Sequence, residues 1–353
     1  MAQNDGQDVA HGQTYSIDAL QARMQAIFRK AGLSELQAGA VARIIVAGER
    51  DSCKSHGVYR AEGILRTVSA GKVDPAAVPV LTGDATTAIV RVNAGGGFSN
   101  AAFDLGLPDL VARARRFGLA ALVVNDCTHF AALWPEVEAL TAQGLAGMAM
   151  CSSYASVAPV GGTRPLLGTN PFAFGWPRPG TDPYVFDFAT SVAARGEIEL
   201  HRRAGKQLPA GWALDAAGQP TTDPAAALDG AMLSFGGHKG SAIGTMIELL
   251  AAIMIGDLTS PEALDYLGTT ALLPHHGELI LAFDPARFAQ GRPGDPFARA
   301  ETLFGAILGQ GARLPSQRRY VARAASEANG ITLSAAEVAI LDRLETLGLD
   351  AVA

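Results

Sequence analysis

The chain has 353 residues, 48% of them apolar and 18% charged, with a net charge of −6, which is enough material for a large buried core and more than one domain. Its longest apolar stretches, residues 40–47 and 249–255, fall short of the roughly 20 consecutive residues a bilayer span requires, so no membrane segment is expected. Basic residues are scattered apart from one late cluster, which excludes a broad nucleic-acid surface and leaves a small molecule as the expected partner.

Residues 1–13 are polar and carry Asp5 and Asp8 where a secretion signal needs a basic start and an apolar run; they read as a disordered tail. Three amphipathic segments follow. The second opens with Ser34 and Gln37 in capping-box spacing, each side chain placed to satisfy a free amide at the helix start. Residues 78–81 and 87–92 are short and rich in branched apolar side chains and read as strands. Helix 100–117, strand 120–124, helix 133–143 and strand 147–151 then alternate, which predicts stacked layers of strand and helix. Stretches 158–180 and 208–224 are rich in Gly and Pro and mark long connections suited to functional loops, with a strand at 172–176 inside the first. Residues 239–255 are nearly all apolar, so that helix is expected to be buried. Ser334 and Glu337 repeat the capping-box spacing before a closing amphipathic helix that ends near Gly348.

Several chemistries are disfavoured. Cys53, Cys127 and Cys151 are odd in number and widely spaced, which argues against disulfides and zinc and fits a reducing, cytoplasmic compartment. Gly95-Gly96-Gly97 follows a strand but lacks the Gly-x-Gly-x-x-Gly spacing of an ordinary dinucleotide site, and Gly236 to Ser241 places its Lys before the last Gly, unlike a P-loop. His275-His276 stands without a helical His-x-x-x-His or a His/Cys cluster, so no metal site is expected.

Ser55-His56-Gly57-x-x-Arg60 brings a hydroxyl, an imidazole and a guanidinium to the end of a long helix. The set suits a carboxylate-bearing substrate, gripped by Arg60 while His56 exchanges a proton; a histidine capping a helix C-terminus would look the same. His129-Phe130-Ala131-Ala132-Leu133-Trp134 follows a strand and opens a helix whose free amides could meet a phosphate, or it is a hydrophobic turn. Asp187-Phe188-Ala189-Thr190-Ser191 ends a strand and begins a helix, with Arg195-Gly196-Glu197 one turn in. The Asp is a capping carboxylate by position, and Glu197 is placed to orient an imidazole. His238-Lys239 sits at the start of the apolar helix, where an anion is favoured. Arg313-Leu314-Pro315-Ser316-Gln317-Arg318-Arg319 gathers three guanidinium groups and a hydroxyl, which suits a phosphate monoester or a solvated helix start.

Taken in order, Ser55-His56-Gly57, Gly71-Lys72-Val73, Gly168-Thr169-Asn170-Pro171, Asp187 to Ser191 and Gly237-His238-Lys239-Gly240 resemble the malate/L-lactate dehydrogenase-like oxidoreductases, a family distinct from the Rossmann-type malate and lactate dehydrogenases. Residues 129–134 and 313–319 look most like its NADPH-dependent Δ1-piperideine-2-carboxylate/Δ1-pyrroline-2-carboxylate reductases. The resemblance implies an α/β, malate/L-sulfolactate dehydrogenase-like fold with a non-Rossmann cofactor domain and discontinuous substrate and helical domains, as a homodimer. Residues 14–57 with 314–353 would form the helical domain, 58–124 with 270–313 the substrate-side domain, and 125–269 the NADPH-binding domain.

By the same resemblance His56 is the proton donor, Ser55 and Glu197 belong to its relay, and Arg60, Thr169, Arg195 and Gly196 form the substrate pocket. The cofactor would touch His129, Phe130, Ala131, Ala132, Leu133, Asp187, Phe188, Ala189, His238, Lys239 and the segment Arg313 to Arg319. These reductases carry Asp at the relay position, so Glu197 is a departure, one methylene longer. The implied reaction is reduction of a cyclic imino acid to L-pipecolate or L-proline. A 2-hydroxy acid dehydrogenase would use the same His and Arg chemistry, and a catalytically silent metabolite-binding protein is the alternative from another class.

Overall fold

Leu20, Met24, Ile27 and Phe28 repeat at the spacing of one helix face. In the computed structural model, which describes residues 12–353, all four are fully buried on helix α1 (Ile17–Lys30). Ser16 caps that helix through the amide of Ala19, and Arg29 and Lys30 close its last turn, where the helix dipole favours cations. Strand β1 (Gln13–Tyr15) precedes it; α2 (Glu35–Arg50), a tight 3-10 turn (Lys54–His56) and α3 (Arg60–Ser69) follow. Then come β2 (Val80–Thr82), β3 (Ile89–Asn93), α4 (Ser99–Phe117), β4 (Leu119–Thr128), α5 (Trp134–Thr141), β5 (Ala146–Cys151), β6 (Phe172–Trp176) and β7 (Tyr184–Phe188). The chain continues through α6 (Arg195–Arg203), β8 (Ala213–Leu214), β9 (Pro220–Thr221), α7 (Pro224–Asp229), β10 (Ala231–Met232) and α8 (His238–Glu248). It ends with α9 (Ser260–Leu267), β11 (His275–Phe283), α10 (Pro285–Phe288), α11 (Pro296–Gly309), α12 (Gln317–Asn329), β12 (Ile331–Leu333) and α13 (Ala335–Leu347).

The fold is mixed α/β. Seven strands form one sheet in the order β2-β3-β4-β11-β5-β6-β7, antiparallel throughout except for β3 beside β4. Its strands alternate in the way a sheet covered on both faces requires. Ala120, Leu122 and Val124 of β4 and Ile280 and Ala282 of β11 face the α4 and α5 side, while Val123 and Leu279 face Ile247, Ala251 and Ile255 on the other. Helices α1, α2, α3 and α13 surround a separate helical core, closed by a two-stranded ribbon of β1 and β12. Among the described residues no helix is long and apolar enough to cross a membrane.

Three expectations need correction. Ser34 accepts from the Gln37 amide at 3.3 Å, but the Gln37 side chain does not return to it. Buried Gln37 instead donates to the Ala77 carbonyl and accepts from the Phe98 amide, pinning the loops before β2 and α4. Gln13, read as tail, pairs with Leu333; residues 1–11 lie outside the described residues. The apolar helix gives way to a π-helical segment at Leu249–Ile253, and Met246, Leu249, Ile253 and Met254 are exposed, because only one face meets the sheet. Val58, Ala61 and Ile64 pack in the helical core, and β4 runs through position 124 as one strand.

Candidate active site

The turn that carries His56 is held from below. Wholly buried Gly48 packs so closely that a Cβ there would lie 2.5 Å from the His56 carbonyl oxygen, and the Cys53 amide donates to the Gly48 carbonyl at 2.7 Å. The carboxylate of Glu49 accepts from the Val58 amide at 2.7 Å and from the Lys54 ammonium, fixing both ends of the turn. Arg60 opens α3, where its Nε donates to the Ser55 carbonyl at 3.0 Å and its terminal nitrogens have no partner among the described residues. The sequence placed His56 at the end of α2; it belongs to the separate 3-10 turn, so it is not that helix's cap.

This turn borders a cavity of about 1150 Å³. Ser55, His56, Arg60, Thr169, Arg195 and Glu197 line it, as do His129 to Ala132, Asp187 to Ala189 and the whole segment from Arg313 to Arg319. Four expected residues stand outside its lining. Leu133 is buried in the core. Gly196 is the contact that lets α6 approach the turn, since a Cβ there would meet the Tyr59 hydroxyl at 2.3 Å. His238 and Lys239 are exposed at the start of α8.

Within the cavity, Ser55 Oγ lies 3.0 Å from His56 Nδ1, and the imidazole meets the Trp134 ring edge to face, 6.2 Å between centroids. Burial, and after it the charge of Arg60, lowers His56 to about 3. The ring is therefore neutral at physiological pH, and a Ser55 hydroxyl donating to Nδ1 selects the tautomer with its proton on Nε2. Arg195 donates from Nη2 to the Leu228 carbonyl at 3.2 Å and to Thr270 Oγ1 at 3.0 Å, and lies over the Tyr154 ring. Both acceptors are neutral, so its charge stays uncompensated. Glu197, exposed in the first turn of α6, has no hydrogen bond to His56.

Two expected cofactor groups are already engaged by the protein. Asp187 Oδ2 accepts from the Leu133 and Trp134 amides at 2.7 and 3.0 Å, so it caps α5 and occupies the amides that the sequence offered to a phosphate. The helix following Asp187 begins only at Arg195. Burial raises Asp187 to about 6 despite those two hydrogen bonds. Arg319 is only 8% exposed and paired with Asp51 and Glu138. Arg313 and Arg318 are exposed and unpaired among the described residues.

Folding also assembles clusters that no local spacing signalled. His129, Cys151 and His276, and likewise His129, Glu136 and Glu278, bring donor atoms within 4.8 Å of one another in the buried wall. His129 Nε2 lies 3.9 Å from Glu278 Oε1, wider than the roughly 3.3 Å ligand-to-ligand edge that zinc bonds near 2.0 Å impose on a tetrahedron. Burial pushes Glu278 up to about 8 and Glu136 well above the usual carboxylate range. Burial thus shifts both carboxyls toward their neutral, protonated forms. Tyr154, Thr270, Asp51 and Glu138 also escaped the sequence reading, because each acts through a neighbour distant in the chain.

A family model described as malate/L-lactate dehydrogenase matches residues 15–342. The chain is 73% identical over 339 residues to a Δ1-pyrroline-2-carboxylate reductase of Agrobacterium fabrum, covering 96% of this chain and 98% of that one. It is 56% identical to a Δ1-pyrroline-2-carboxylate/Δ1-piperideine-2-carboxylate reductase of Pseudomonas aeruginosa, over 87% of this chain and 92% of that one. The crystal structure of Δ1-piperideine-2-carboxylate reductase from Pseudomonas syringae pathovar tomato superposes with a TM-score of 0.88 at 42% identity, covering 94% and 99% of the two chains.

Proposed function

This chain belongs to the malate/L-lactate dehydrogenase family, and from that premise we propose that it is an NADPH-dependent reductase of cyclic ketimine acids, converting Δ1-pyrroline-2-carboxylate to L-proline and Δ1-piperideine-2-carboxylate to L-pipecolate. One juxtaposition carries the reading. A neutral imidazole, two guanidinium groups without carboxylate partners and a cationic loop border the same cavity. Its volume of about 1150 Å³ exceeds the ~300–1,000 Å³ of ordinary small-molecule sites, leaving room for a dinucleotide beside a ring acid.

NADPH, when bound, supplies hydride to the imine carbon. Arg60 and Arg195 hold the substrate carboxylate, and the two terminal nitrogens that Arg60 leaves open match a carboxylate's two oxygens. That carboxylate also offsets the Arg60 charge, one of the two causes holding His56 down, so the imidazole gains proton affinity when substrate is seated. With that gain His56 takes up a second proton from solvent, delivers the Nε2 proton to the imine nitrogen and returns to its neutral form, with Ser55 Oγ holding Nδ1. Carbon takes a hydride and nitrogen a proton, so C=N becomes CH–NH. Arg313 and Arg318 would bind the 2′-phosphate that distinguishes NADPH, with His129 to Ala132, Phe188 and Ala189 along the nicotinamide side.

We further infer a cytoplasmic homodimer. The exposed apolar residues Met246, Leu249, Ile253 and Met254 support an interface. His238 and Lys239, outside the cavity lining of a single chain, keep a cofactor role only within such a dimer. The test is a side-by-side assay with NADPH of the two cyclic imines, pyruvate and oxaloacetate. Faster oxidation with the imines is expected; a clear preference for a linear oxo acid, or NADH used as readily as NADPH, would overturn the assignment.

A further inference from the structure

Arg319 stands in the segment read as a phosphate site, yet its guanidinium is closed off. Nη1 donates to Asp51 Oδ2 at 2.7 Å, Nη2 to Glu138, and Nε to Ser316 Oγ at 3.3 Å. Arg323 completes the cluster, donating to Asp51 Oδ1 at 2.9 Å and Glu138 Oε2 at 2.8 Å, and Arg50 donates to Asp51 as well. The carboxylates are shared among three arginines, and every nitrogen of the Arg319 guanidinium is engaged within the protein. Its guanidinium carbon lies over two rings, that of Tyr320 at 4.7 Å and that of Trp134 at 5.1 Å, and the Trp134 Nε1 is buried without a partner among the described residues. Trp134 in turn stands edge to face with His56. Asp51 is the C-cap of α2, five residues before His56, so the same cluster ties the start of the His56 turn to α5 and to the 313–319 loop.

We propose that Arg319 is a positioning residue and not a cofactor ligand: it clamps Trp134 against His56, coupling the start of α12 to the proton donor, while phosphate selection in the 313–319 segment falls to Arg313 and Arg318. The inference rests on the reductase reading above. A cation stacked on the indole fixes a ring that has no hydrogen bond of its own. Ser316 adds a local anchor, since its hydroxyl donates to the Val185 carbonyl at 2.8 Å and its backbone adopts φ of +64°, a conformation non-glycine residues rarely hold.

The experiment compares full-length Arg318→Ala, Arg319→Lys and Trp134→Phe in steady-state kinetics with NADPH and NADH, and in kcat against pH. Arg318→Ala is expected to raise KM for NADPH about tenfold or more without raising that for NADH, as loss of a charge-assisted phosphate contact requires. Arg319→Lys keeps the charge and loses the planar fork. It is expected to lower kcat about tenfold, to shift the acidic limb of the kcat profile upward, and to leave the ratio of NADPH to NADH affinity in place. Trp134→Phe, which disturbs no buried charge, is expected to move kcat and the limb the same way should Arg319→Lys fail to fold. An Arg319→Lys protein that loses NADPH affinity selectively, or a Trp134→Phe protein with wild-type kcat and pH profile, overturns the proposal. Equal use of NADH by the wild type would overturn the cofactor reading instead, and kcat and pH would still decide the positioning role.

Discussion

Replacing Arg60 by Met keeps an unbranched apolar stem and removes the charge and its fork. Within the protein the losses are one hydrogen bond, from Nε to the Ser55 carbonyl at 3.0 Å, and the stacking of the guanidinium 5.3 Å over the Tyr59 ring, so the fold should survive. The larger effect falls on the substrate. Hydrogen bonds to a charged group contribute about 1.5–3 kcal/mol, and at about 1.4 kcal/mol per factor of ten the KM for Δ1-pyrroline-2-carboxylate should rise roughly 10- to 150-fold. A second consequence follows from the electrostatics. His56 is lowered to about 3 first by burial and next by Arg60, so removing the cation lets the imidazole protonate at higher pH. The acidic limb of kcat/KM, which reports the free enzyme, should move upward. Arg60→Lys separates the two effects, because it keeps the charge and loses the paired geometry: KM should rise while the limb stays put. Measuring kcat/KM against pH at saturating NADPH for wild type and both variants cancels the ionisation of the imine itself. A KM for Arg60→Met within about threefold of wild type, below the weakest contact considered, would refute the carboxylate clamp; identical limbs in the two variants would refute the electrostatic link.

Burial pushes Glu278 from an ordinary 4.5 to about 8. A carboxyl raised in the folded state contributes stability that is intact below about 4.5 and is lost as pH climbs toward 8, so Glu278→Gln should raise Tm far more at pH 8 than at pH 5; equal shifts would contradict the burial argument. A Cβ on Gly48 would stand 2.5 Å from the His56 carbonyl oxygen. Gly48→Ala should therefore cost about 1–3 kcal/mol in denaturant melts and lower kcat by displacing the turn; full activity would show the turn is not held from below. Ser334 and Glu337 form a complete capping box on α13, and Ser334→Ala should cost about 1 kcal/mol by chemical unfolding, an effect absent if the helix is fixed by packing alone.

Elements whose causes are local were legible in the sequence. The expected helix 100–117 is α4, Ser99–Phe117, and the strand expected at 147–151 is β5, Ala146–Cys151, because 3.6- and 2-residue periods record which face is buried. The box at Ser334 formed as spaced, and the one at Ser34 did not, since the Gln37 side chain found better partners in Ala77 and Phe98. The site divides the same way. Ser55, His56 and Arg60 are neighbours in sequence and share one cavity wall. Asp187 capping α5 across 54 residues, Arg319 meeting Asp51 across 268, and Glu278 meeting His129 leave no trace in any local pattern. The three guanidiniums of the 313–319 segment looked alike in sequence, and only burial separates Arg319 from the other two.

That separation clarifies how a chain of net charge −6 makes a site for anions. Of the charged groups lining the cavity, Asp51, Lys54 and Arg319 are paired within the protein and Asp187 is held by two amides. The charges left uncompensated are Arg60, Arg195, Arg313 and Arg318 against the single carboxylate of Glu197. The cavity is therefore locally positive, as a site for a carboxylate and for phosphates would need. Glu197 has the wrong sign for either ligand, and this decides how to test it. As a bystander it would only repel substrate, so Glu197→Gln would lower KM and leave kcat alone. As a relay that reaches His56 once the site is occupied, a contact free enzymes often hold loosely, it would stabilise the protonated imidazole. Glu197→Gln would then lower kcat without lowering KM. The relay outcome is expected, because a carboxylate is the one group here able to raise an imidazole that burial and Arg60 both hold down; a lower KM with unchanged kcat would remove Glu197 from the mechanism.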